Sequence, residues 1–290
     1  MKTGRQYSLL APALFLLPAA VMFIIYVLYP IVQSMSLSFY SWDGISPDKT
    51  FIGLDNYREL MDDERFWTSL FNNARWLVLF MLAPVFGLAL ALFLNQTVFG
   101  IRVIKSLFFF PFVISQVVVG LVFTWFYDPS FGLLNDILGF FGIRGINVLG
   151  DENLATYGII AAGLWPQIAY CMILYLTGLN NLDQEQLEAA RMDGAQKLTM
   201  LTRIVLPQLR PATFIAVVVT VIGSLRSFDL IATMTGGGPY GSTNVLAHFM
   251  YQQSIFSYRA GYGAAIAVVL FAIMMIYIAF FLWRMLRTEK

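Results

Sequence analysis

The stretch Arg75–Arg102, RWLVLFMLAPVFGLALALFLNQTVFGIR, carries a charged residue only at each of its two ends. Between them the residues are almost all apolar, and a helix that crosses a bilayer needs about 20 such residues. We therefore predict a membrane-spanning helix over residues 74–96.

The same pattern recurs along the chain. Charged residues are also absent between Arg5 and Asp43, Lys105 and Asp128, Glu152 and Asp183, Arg210 and Arg226, and Arg259 and Arg284. The interval after Arg210 is short, but Arg226 can snorkel or line a cavity at its end. The first apolar run is longer than the 7–15 residues typical of a signal peptide, so we interpret it as a retained span. The pattern predicts an all-α polytopic membrane protein, a single domain over 1–290, with spans at 9–32, 74–96, 106–127, 155–178, 208–228 and 262–284.

The overall composition agrees with a membrane protein. Hydrophobic residues make up 59% of the chain and charged residues 12%, with a mean hydropathy of +0.71, whereas soluble domains contain about 25% charged residues. The net charge of +1 does not favour nucleic acid as a partner. The single cysteine, Cys171, cannot form an internal disulfide and is interpreted as a packing residue.

The basic residues of the loops predict the orientation of the spans, because cytoplasmic loops are enriched in Lys and Arg. One set of segments holds Lys2, Arg5, Arg102, Lys105, Arg191, Lys197, Arg203, Arg210, Arg284, Arg287 and Lys290. The opposite set holds only Lys49, Arg58, Arg65, Arg144 and Arg259. Both termini and the loops 97–105 and 179–207 are therefore expected in the cytoplasm.

Three segments are expected on the outer side, at 33–73, 128–154 and 229–261. Apolar residues near helical spacing in the first predict an amphipathic helix at the interface, serving either as a cap or as a docking surface. The third contains TMTGGGPYGSTN, residues 233–244. Its Gly236, Gly237, Gly238 and Pro239 break a helix.

The chain carries no recognisable catalytic or nucleotide-binding motif. The GxxxxGK[ST] pattern of phosphate loops is absent. His248 has no second histidine or cysteine near it, and a metal site needs three or four ligands. We therefore expect neither an enzyme nor a metal or cofactor site in this chain.

The charged stretch EAARMDGAQKLTMLTRIVLP, Glu188–Pro207, stands out in the loop 179–207. Asp183 and Gln186 predict a capping-box variant at the start of a short helix, and Gly194 predicts its end. A second helix follows, and Pro207 and Pro211 allow a bend into the fifth span. The two short helices are expected to expose the small residues Ala189 and Ala190 to a docking partner; a plain connector is the alternative.

This stretch resembles a known family signature. Its residues match, at the family's spacing, the EAA signature of binding-protein-dependent ABC importer permeases at Glu188, Ala189, Ala190, Gly194, Ile204, Leu206 and Pro207. GLDNY at 53–57, FW at 66–67, FD at 228–229 and MTGGGP at 234–239 resemble the maltose-type carbohydrate-uptake branch. The resemblance runs from the first span to the last, without the large extra outer domain of the bigger maltose permease.

The resemblance implies a six-helix type I ABC importer fold in a bacterial inner membrane. It implies a coupling helix seated in a cytoplasmic ATPase subunit, with the contact at Glu188, Ala189, Ala190, Arg191, Asp193 and Gly194. The implied partners are a second, homologous permease, two ATPase subunits that bind ATP and Mg, an external solute-binding protein and the lipid bilayer. Gly236, Gly237, Gly238 and Pro239 are candidates for docking that binding protein.

Polar residues inside spans are candidates for a path for a sugar, since they are costly unless they face a cavity or another helix. The set comprises Gln116, Gln167, Tyr170, Ser224, Ser227, Arg226 and Asp229. Helix–helix hydrogen bonding remains the alternative for each of them. The cargo stays open among a disaccharide or oligosaccharide, a glycoside, and an anionic sugar or polyol derivative. A stand-alone secondary carrier or channel is the alternative function, but the spans lack the buried Asp, Glu or Lys of a proton relay.

Overall fold

The computed structural model describes residues 10–96 and 98–288 of the chain. Regular structure in this part is helical except for one hairpin of β1, Tyr40–Ser41, and β2, Thr50–Phe51. The α-helices are α1 Leu10–Phe23, α2 Tyr29–Leu37, α3 Asp55–Asp62, α4 Glu64–Phe80, α5 Leu82–Leu94, α6 Ile101–Val113, α7 Gln116–Phe126, α8 Leu133–Phe140, α9 Ala155–Asn180, α10 Gln184–Met192, α11 Lys197–Met200, α12 Leu206–Gln208, α13 Arg210–Leu225, α14 Asp229–Met234, α15 Leu246–Tyr251 and α16 Ala260–Thr288. Three π-helical segments extend or join them: Ile24–Leu28, Leu201–Val205 and Gln252–Phe256.

Four stretches are single helices long and apolar enough to cross a membrane. They are Ala13–Leu37, Glu64–Leu94, Ala155–Asn180 and Ala260–Phe281. Two further pairs of helices pass the same test together but are sharply bent: Ile101–Val113 with Gln116–Phe126, by 98°, and Lys197–Gln208 with Arg210–Leu225, by 68°. The described part of the chain therefore has four to six spans, depending on whether each bent pair crosses once.

The second span begins ten residues earlier than the predicted start at 74, because the side chain of Asp63 accepts a hydrogen bond from the Arg65 N–H and caps a helix that begins at Glu64. The expected amphipathic segment of the first outer region is consequently divided. Leu60 lies in the short helix α3, whereas Phe66 and Phe71 belong to the first turns of the second span.

The predicted continuous helix over 106–127 is interrupted at Ile114 and Ser115. Both residues have extended backbone angles, and the Ser115 hydroxyl accepts a hydrogen bond from the Val118 N–H at 3.3 Å. This serine therefore ends α6 and starts α7 in a new direction. The predicted helix over 208–228 is likewise interrupted at Leu209, where Pro211 stands in the first turn of α13, a position that needs no N–H donor.

The chain divides into two compact units. The first consists of the described residues up to Asp62 together with Met250–Phe271. Within it, Asn56 is buried and its side-chain amide donates to the carbonyls of Ser38, at 2.8 Å, and Tyr40, at 3.1 Å. The apolar stretch Ala13–Leu37 contains no buried residue, and residues 13–30 are all exposed, so this surface is left for lipid or for another protein.

The second unit, Asp63–Phe249 with the described residues from Ala272 onwards, is built around α9. Six helices pack against α9: α4, α5, α6, α7, α13 and α14. Two apolar clusters fill the contacts, one around Trp76, Ile159 and Ile231 and the other around Met172, Tyr175 and Leu209. The charged loop 179–207 follows directly from the end of α9.

Glycines allow the close packing around α9, because small residues let membrane helices approach each other closely. A Cβ added at Gly87 of α5 would lie 2.5 Å from Cys171 Cβ and 2.9 Å from the backbone nitrogen of Met172. One added at Gly178 would lie 2.8 Å from a methyl carbon of Leu209. Since Gly87 faces the backbone of α9, a side chain there has no room unless the helices separate.

We predict that Gly87→Ala destabilises the second unit by about 1–3 kcal/mol, as overpacking does in other cores. The measurement is thermal unfolding of the purified chain in detergent. Gly139→Ala is the matched control, because a Cβ at Gly139 meets nothing within 4 Å. Equal unfolding temperatures for the two variants would contradict the packing described for α5 and α9.

Candidate functional site

The short helix α10 is held at both ends by its own sequence. At its start, Oδ1 of Asp183 accepts hydrogen bonds from the N–H groups of Glu185, at 3.0 Å, and Gln186, at 3.4 Å. At its end, the Ala195 N–H donates to Ala190 O, at 2.9 Å, across Gly194, which has a φ of +77°. This pairing is the Schellman arrangement that ends many helices. The predicted cap and stop of this helix are therefore confirmed.

A glutamine from the following helix completes the N-terminal cap. The predicted capping box requires the Gln186 side chain to accept a bond from the Asp183 N–H, but Gln208 does so instead, at 2.9 Å. The same Gln208 amide donates to Oε1 of Gln186 at 3.2 Å. Gln208 thereby ties the start of α10 to α12, directly before the 68° bend into α13.

The two faces of α10 differ in burial. Leu187 and Ala190 are buried, and Leu187 belongs to the apolar cluster around Met172. Glu188, Ala189 and Arg191 are exposed, and Met192 is 88% exposed. The expectation that Ala190 is exposed is wrong, because it lies three residues after Leu187 and shares its inward face. In the described part of the chain, the Glu188 carboxylate has no hydrogen bond or ion pair.

A groove of about 480 Å³ runs beside this helix and is open to solvent. Its lining combines α10 with the helix that leads to the fifth span: Gln186, Ala189, Ala190, Asp193, Arg203, Ile204, Pro207 and Gln208. The lining is mixed in character. Asp193, at the end of α10, is acidic, Arg203, in the π-helical segment Leu201–Val205, is basic, and small side chains lie between them. A fixed, exposed helix beside such a groove suits the docking of another protein.

The candidates of the substrate path on α9 make contacts with neighbouring helices. Nε2 of Gln167 donates to the hydroxyl of Thr220 on α13 at 2.9 Å. The ring of Tyr170 stacks on Phe112 of α6, with centroids 4.6 Å apart and planes 13° apart. Both side chains are half-buried, so each tie leaves part of the side chain accessible.

The other path candidates lie at the ends of broken helices. Gln116 is exposed and begins α7, directly after the 98° bend. Arg226 ends α13 and Asp229 begins α14; both are exposed, and they do not pair with each other. Ser227, between them, donates to Gly223 O at 3.2 Å.

Ser224 lies differently from the rest of this set. It is fully buried, and its hydroxyl donates to Val221 O within its own helix, at 2.8 Å. In the conformation described, Ser224 therefore offers no surface to a solute.

The glycine loop, which we define as residues 235–244, is held by its own hydroxyl groups. The Thr243 hydroxyl donates to Gly238 O at 2.8 Å and lies 2.8 Å from the Thr235 hydroxyl. Gly237 has a φ of +91° and lies against the Asn244 side chain, with no room for a Cβ. Of the four docking candidates, Gly236 is exposed, Gly238 and Pro239 are half-buried and Gly237 is buried. The most exposed residue at the tip is Tyr240, at 94%.

Two asparagines of the second span fix the glycine loop from below. Nδ2 of Asn72 donates to Ser242 O, at 2.6 Å, and to Asn244 O, at 2.8 Å. Oδ1 of Asn73 accepts from the Leu246 N–H at 2.9 Å. These two residues are not among the candidates predicted from the sequence, in which they appear only as a pair of adjacent amide side chains, NN at 72–73, just before an apolar run.

His248 belongs to the same polar network. It is buried, and its Nδ1 lies 2.7 Å from Oδ1 of Asn244. Burial lowers the pKa of His248, because it disfavours the charged ring. The His248 ring is thus held within the polar network around the glycine loop.

The fold and this site define a class: a polytopic membrane protein with a capped, exposed helix outside its spans. Comparison with known proteins identifies the family within this class. Residues 83–288 match the family described as binding-protein-dependent transport system inner membrane component. The chain belongs to this family, and membership decides against a carrier or channel that works alone.

Relatives and a solved structure agree with this assignment. The chain is 38% identical over 269 residues to the probable ABC transporter permease protein YurN of Bacillus subtilis, covering 90% of this chain and 91% of the relative. It is 33% identical over 282 residues to SmoG of Agrobacterium fabrum, a sulfoquinovosyl glycerol transport system permease protein, covering 97% and 91%. The fold is similar to a chain of a bacterial ABC transporter involved in the import of the acidic polysaccharide alginate, with a TM-score of 0.85, 22% identity and coverage of 97% and 96%.

We predict that Gly237→Ala disrupts the glycine loop, because a side chain there displaces Asn244 and strains a backbone with positive φ, at a cost of roughly 1–2 kcal/mol for the strain alone. The measurement is limited proteolysis of the loop in detergent, with cleavage expected to become faster. Gly236→Ala is the control: it also has a positive φ, of +59°, but a Cβ there meets nothing within 4 Å. Equal cleavage of both variants would show that the contact with Asn244 does not hold the loop.

Proposed function

We propose that this chain is the permease subunit of an ATP-driven importer that moves a sugar or sugar derivative inward. In this proposal the chain has six spans with both termini in the cytoplasm. It forms the pore with a second, homologous permease and is driven by two separate ATPase subunits. An external binding protein delivers the solute, and a solved relative of the fold is an alginate transporter in complex with a pentasaccharide-bound periplasmic protein.

The observation that carries the proposal is the helix α10. It is fixed at both ends, tied to the fifth span through Gln208, and exposes Glu188 and Arg191. A connector between two spans needs none of these features. The excess of basic residues in the segments that share its side of the membrane supports a cytoplasmic location, where ATP is available. Since the chain has no phosphate-loop motif, we assign ATP and Mg binding to the partner ATPases.

The sugar class rests on the motifs of the carbohydrate-uptake branch and on the name of the relative SmoG. Aromatic and amide side chains suit a sugar, because its ring faces are apolar and its hydroxyls form hydrogen bonds. Gln116, directly after the 98° bend, and Gln167 and Tyr170, within α9, provide such groups. Arg226 adds a charge that has no ion-pair partner in the described residues, and a charged residue at a span is a candidate for function.

The test is reconstitution of the purified complex in proteoliposomes, with the binding protein and ATP. We expect uptake of a labelled glycoside only when ATP and the binding protein are both present. Arg226→Ala should reduce uptake of an anionic sugar while Arg226→Lys preserves it; equal uptake by both variants would assign the arginine to structure. Uptake without ATP by the chain alone would contradict the importer proposal as a whole.

For the coupling contact we predict that Glu188→Lys abolishes transport and uncouples ATP hydrolysis from the binding protein. The carboxylate is exposed and makes no hydrogen bond or ion pair in the described chain. The free energy of unfolding of this chain should therefore change by less than about 0.5 kcal/mol. The measurements are uptake, ATPase stimulation and unfolding temperature of the same preparation.

Glu185→Lys is the matched control, an exposed acid on the same helix outside the signature residues. Gly194 provides a second comparison: Asn tolerates its left-handed backbone, and a Cβ there meets nothing within 4 Å in this chain. Loss of transport in Gly194→Asn would therefore come from the partner side. Normal uptake by Glu188→Lys would end the coupling assignment.

A further inference from the structure

The loop between the third and fourth spans contains a helix that the sequence did not predict. Helix α8 and the turns before and after it expose a set of large apolar side chains, which we call the α8 surface: Phe131, Leu133, Ile137, Phe140, Phe141 and Ile143. Phe140 is 86% exposed and Phe141 69%. So many exposed rings and branched chains in one short segment indicate a surface that another phase or molecule covers.

The α8 surface is held outward by contacts on the other side of the helix. Leu134 packs against the apolar cluster around Trp76 and Ile159. Oδ1 of Asn135 accepts from the Ile146 N–H at 2.8 Å, and its Nδ2 donates to Ile146 O at 3.0 Å. The outward position of the phenylalanines is thus a consequence of packing within the chain.

Helix α8 also ends in a fixed turn. Gly142 has a φ of +69°, and the Ile143 N–H donates to Leu138 O at 2.9 Å. This turn fixes the backbone at Ile143, directly before Arg144.

Three observations favour a phospholipid surface as the partner. The half-span α7, just before this loop, already exposes Leu121, Val122 and Trp125, so the apolar surface continues from the membrane span into the loop. Tryptophan at 76% exposure is typical of the membrane interface. Arg144 is exposed and has no ion pair in the described chain, so it is free to meet a lipid phosphate.

A soluble protein that binds the α8 surface only transiently fits these observations less well. Whenever such a partner is absent, the rings of Phe140 and Phe141 are exposed to water. The one acid of α8, Asp136, lies about 40° from Phe140 around the helix axis, at the edge of the apolar arc, where it can reach water.

We propose that α8 is an interfacial anchor: it lies in the boundary between lipid headgroups and acyl chains on its side of the membrane, with Phe140 and Phe141 inserted and Arg144 at the phosphates. The anchor fixes the end of α7, the half-span that follows the 98° bend. The proposal depends on the membrane-spanning fold and does not depend on which solute is carried.

The experiment uses the full chain in its complex, reconstituted in vesicles of phosphatidylcholine and phosphatidylglycerol. A nitroxide is attached at Phe140→Cys, and its collisions with oxygen, which enters lipid, and with a nickel chelate, which stays in water, are compared by EPR. Tyr240→Cys, exposed on the glycine loop, is the matched control. The native Cys171 is buried, and the unsubstituted complex gives the background.

We expect the ratio of oxygen to chelate collisions to be several-fold higher at position 140 than at 240. Chelate collisions as frequent as at 240 would overturn the anchor; protection by added binding protein would then reassign the surface to docking. A label that neither reagent reaches would also overturn it and place another subunit there. Ile143→Cys gives the same comparison if the first variant does not fold.

Discussion

The close contact between α5 and α9 at Gly87 and Cys171 is the constraint on which the second unit depends. Helices in a bilayer gain little from hydrophobic burial against each other, so their association depends on fit and on hydrogen bonds. Here the fit comes from residues without bulk. With α9 held against α5, its remaining faces receive α6, α7, α13 and α14. The charged loop 179–207 therefore begins at the end of a helix whose position is fixed by this packing.

The breaks in the helices gather the polar groups that a solute can meet. A non-helical backbone at membrane depth must find other partners or line a wet cavity. At the break between α6 and α7 the Ser115 hydroxyl supplies such a partner, and at the junction between α13 and α14 the Ser227 hydroxyl bonds back to Gly223 O. Gln116 lies at the first of these two places, and Arg226 and Asp229 lie at the second. Geometry alone therefore groups residues that lie far apart in the sequence.

Much of the fold could be predicted from local pattern. The absence of charge located the spans, because each span must be apolar over its own length, and Asp183 and Gly194 located α10, because both caps act within a few residues. The replacement of the capping-box partner by Gln208 could not be predicted. Gln208 lies 22 positions from Gln186 and 25 positions from Asp183 in the sequence, too far for a local pattern to show. The same holds for Asn72, whose partners lie 170 and 172 residues away.

The 98° and 68° bends could not be predicted from local sequence pattern either. Apolar composition is the same on both sides of Ser115 and does not record a change of direction. Gln116 is predicted as a path residue only because it is polar within a span, and its position directly after the 98° bend is visible only in the structure. Ser224, buried and bonded within its own helix, shows how little polarity alone says about accessibility.

The residue at the 68° bend, Leu209, is fully buried and fills the space that Gly178 leaves on α9. The 68° bend between the charged loop and α13 therefore packs against the last turns of α9. Because Leu209 contacts α9, a displacement of residues 197–208 that tilts α13 also changes the packing at the end of α9. The same residue therefore links the position of the charged loop to two membrane-spanning helices.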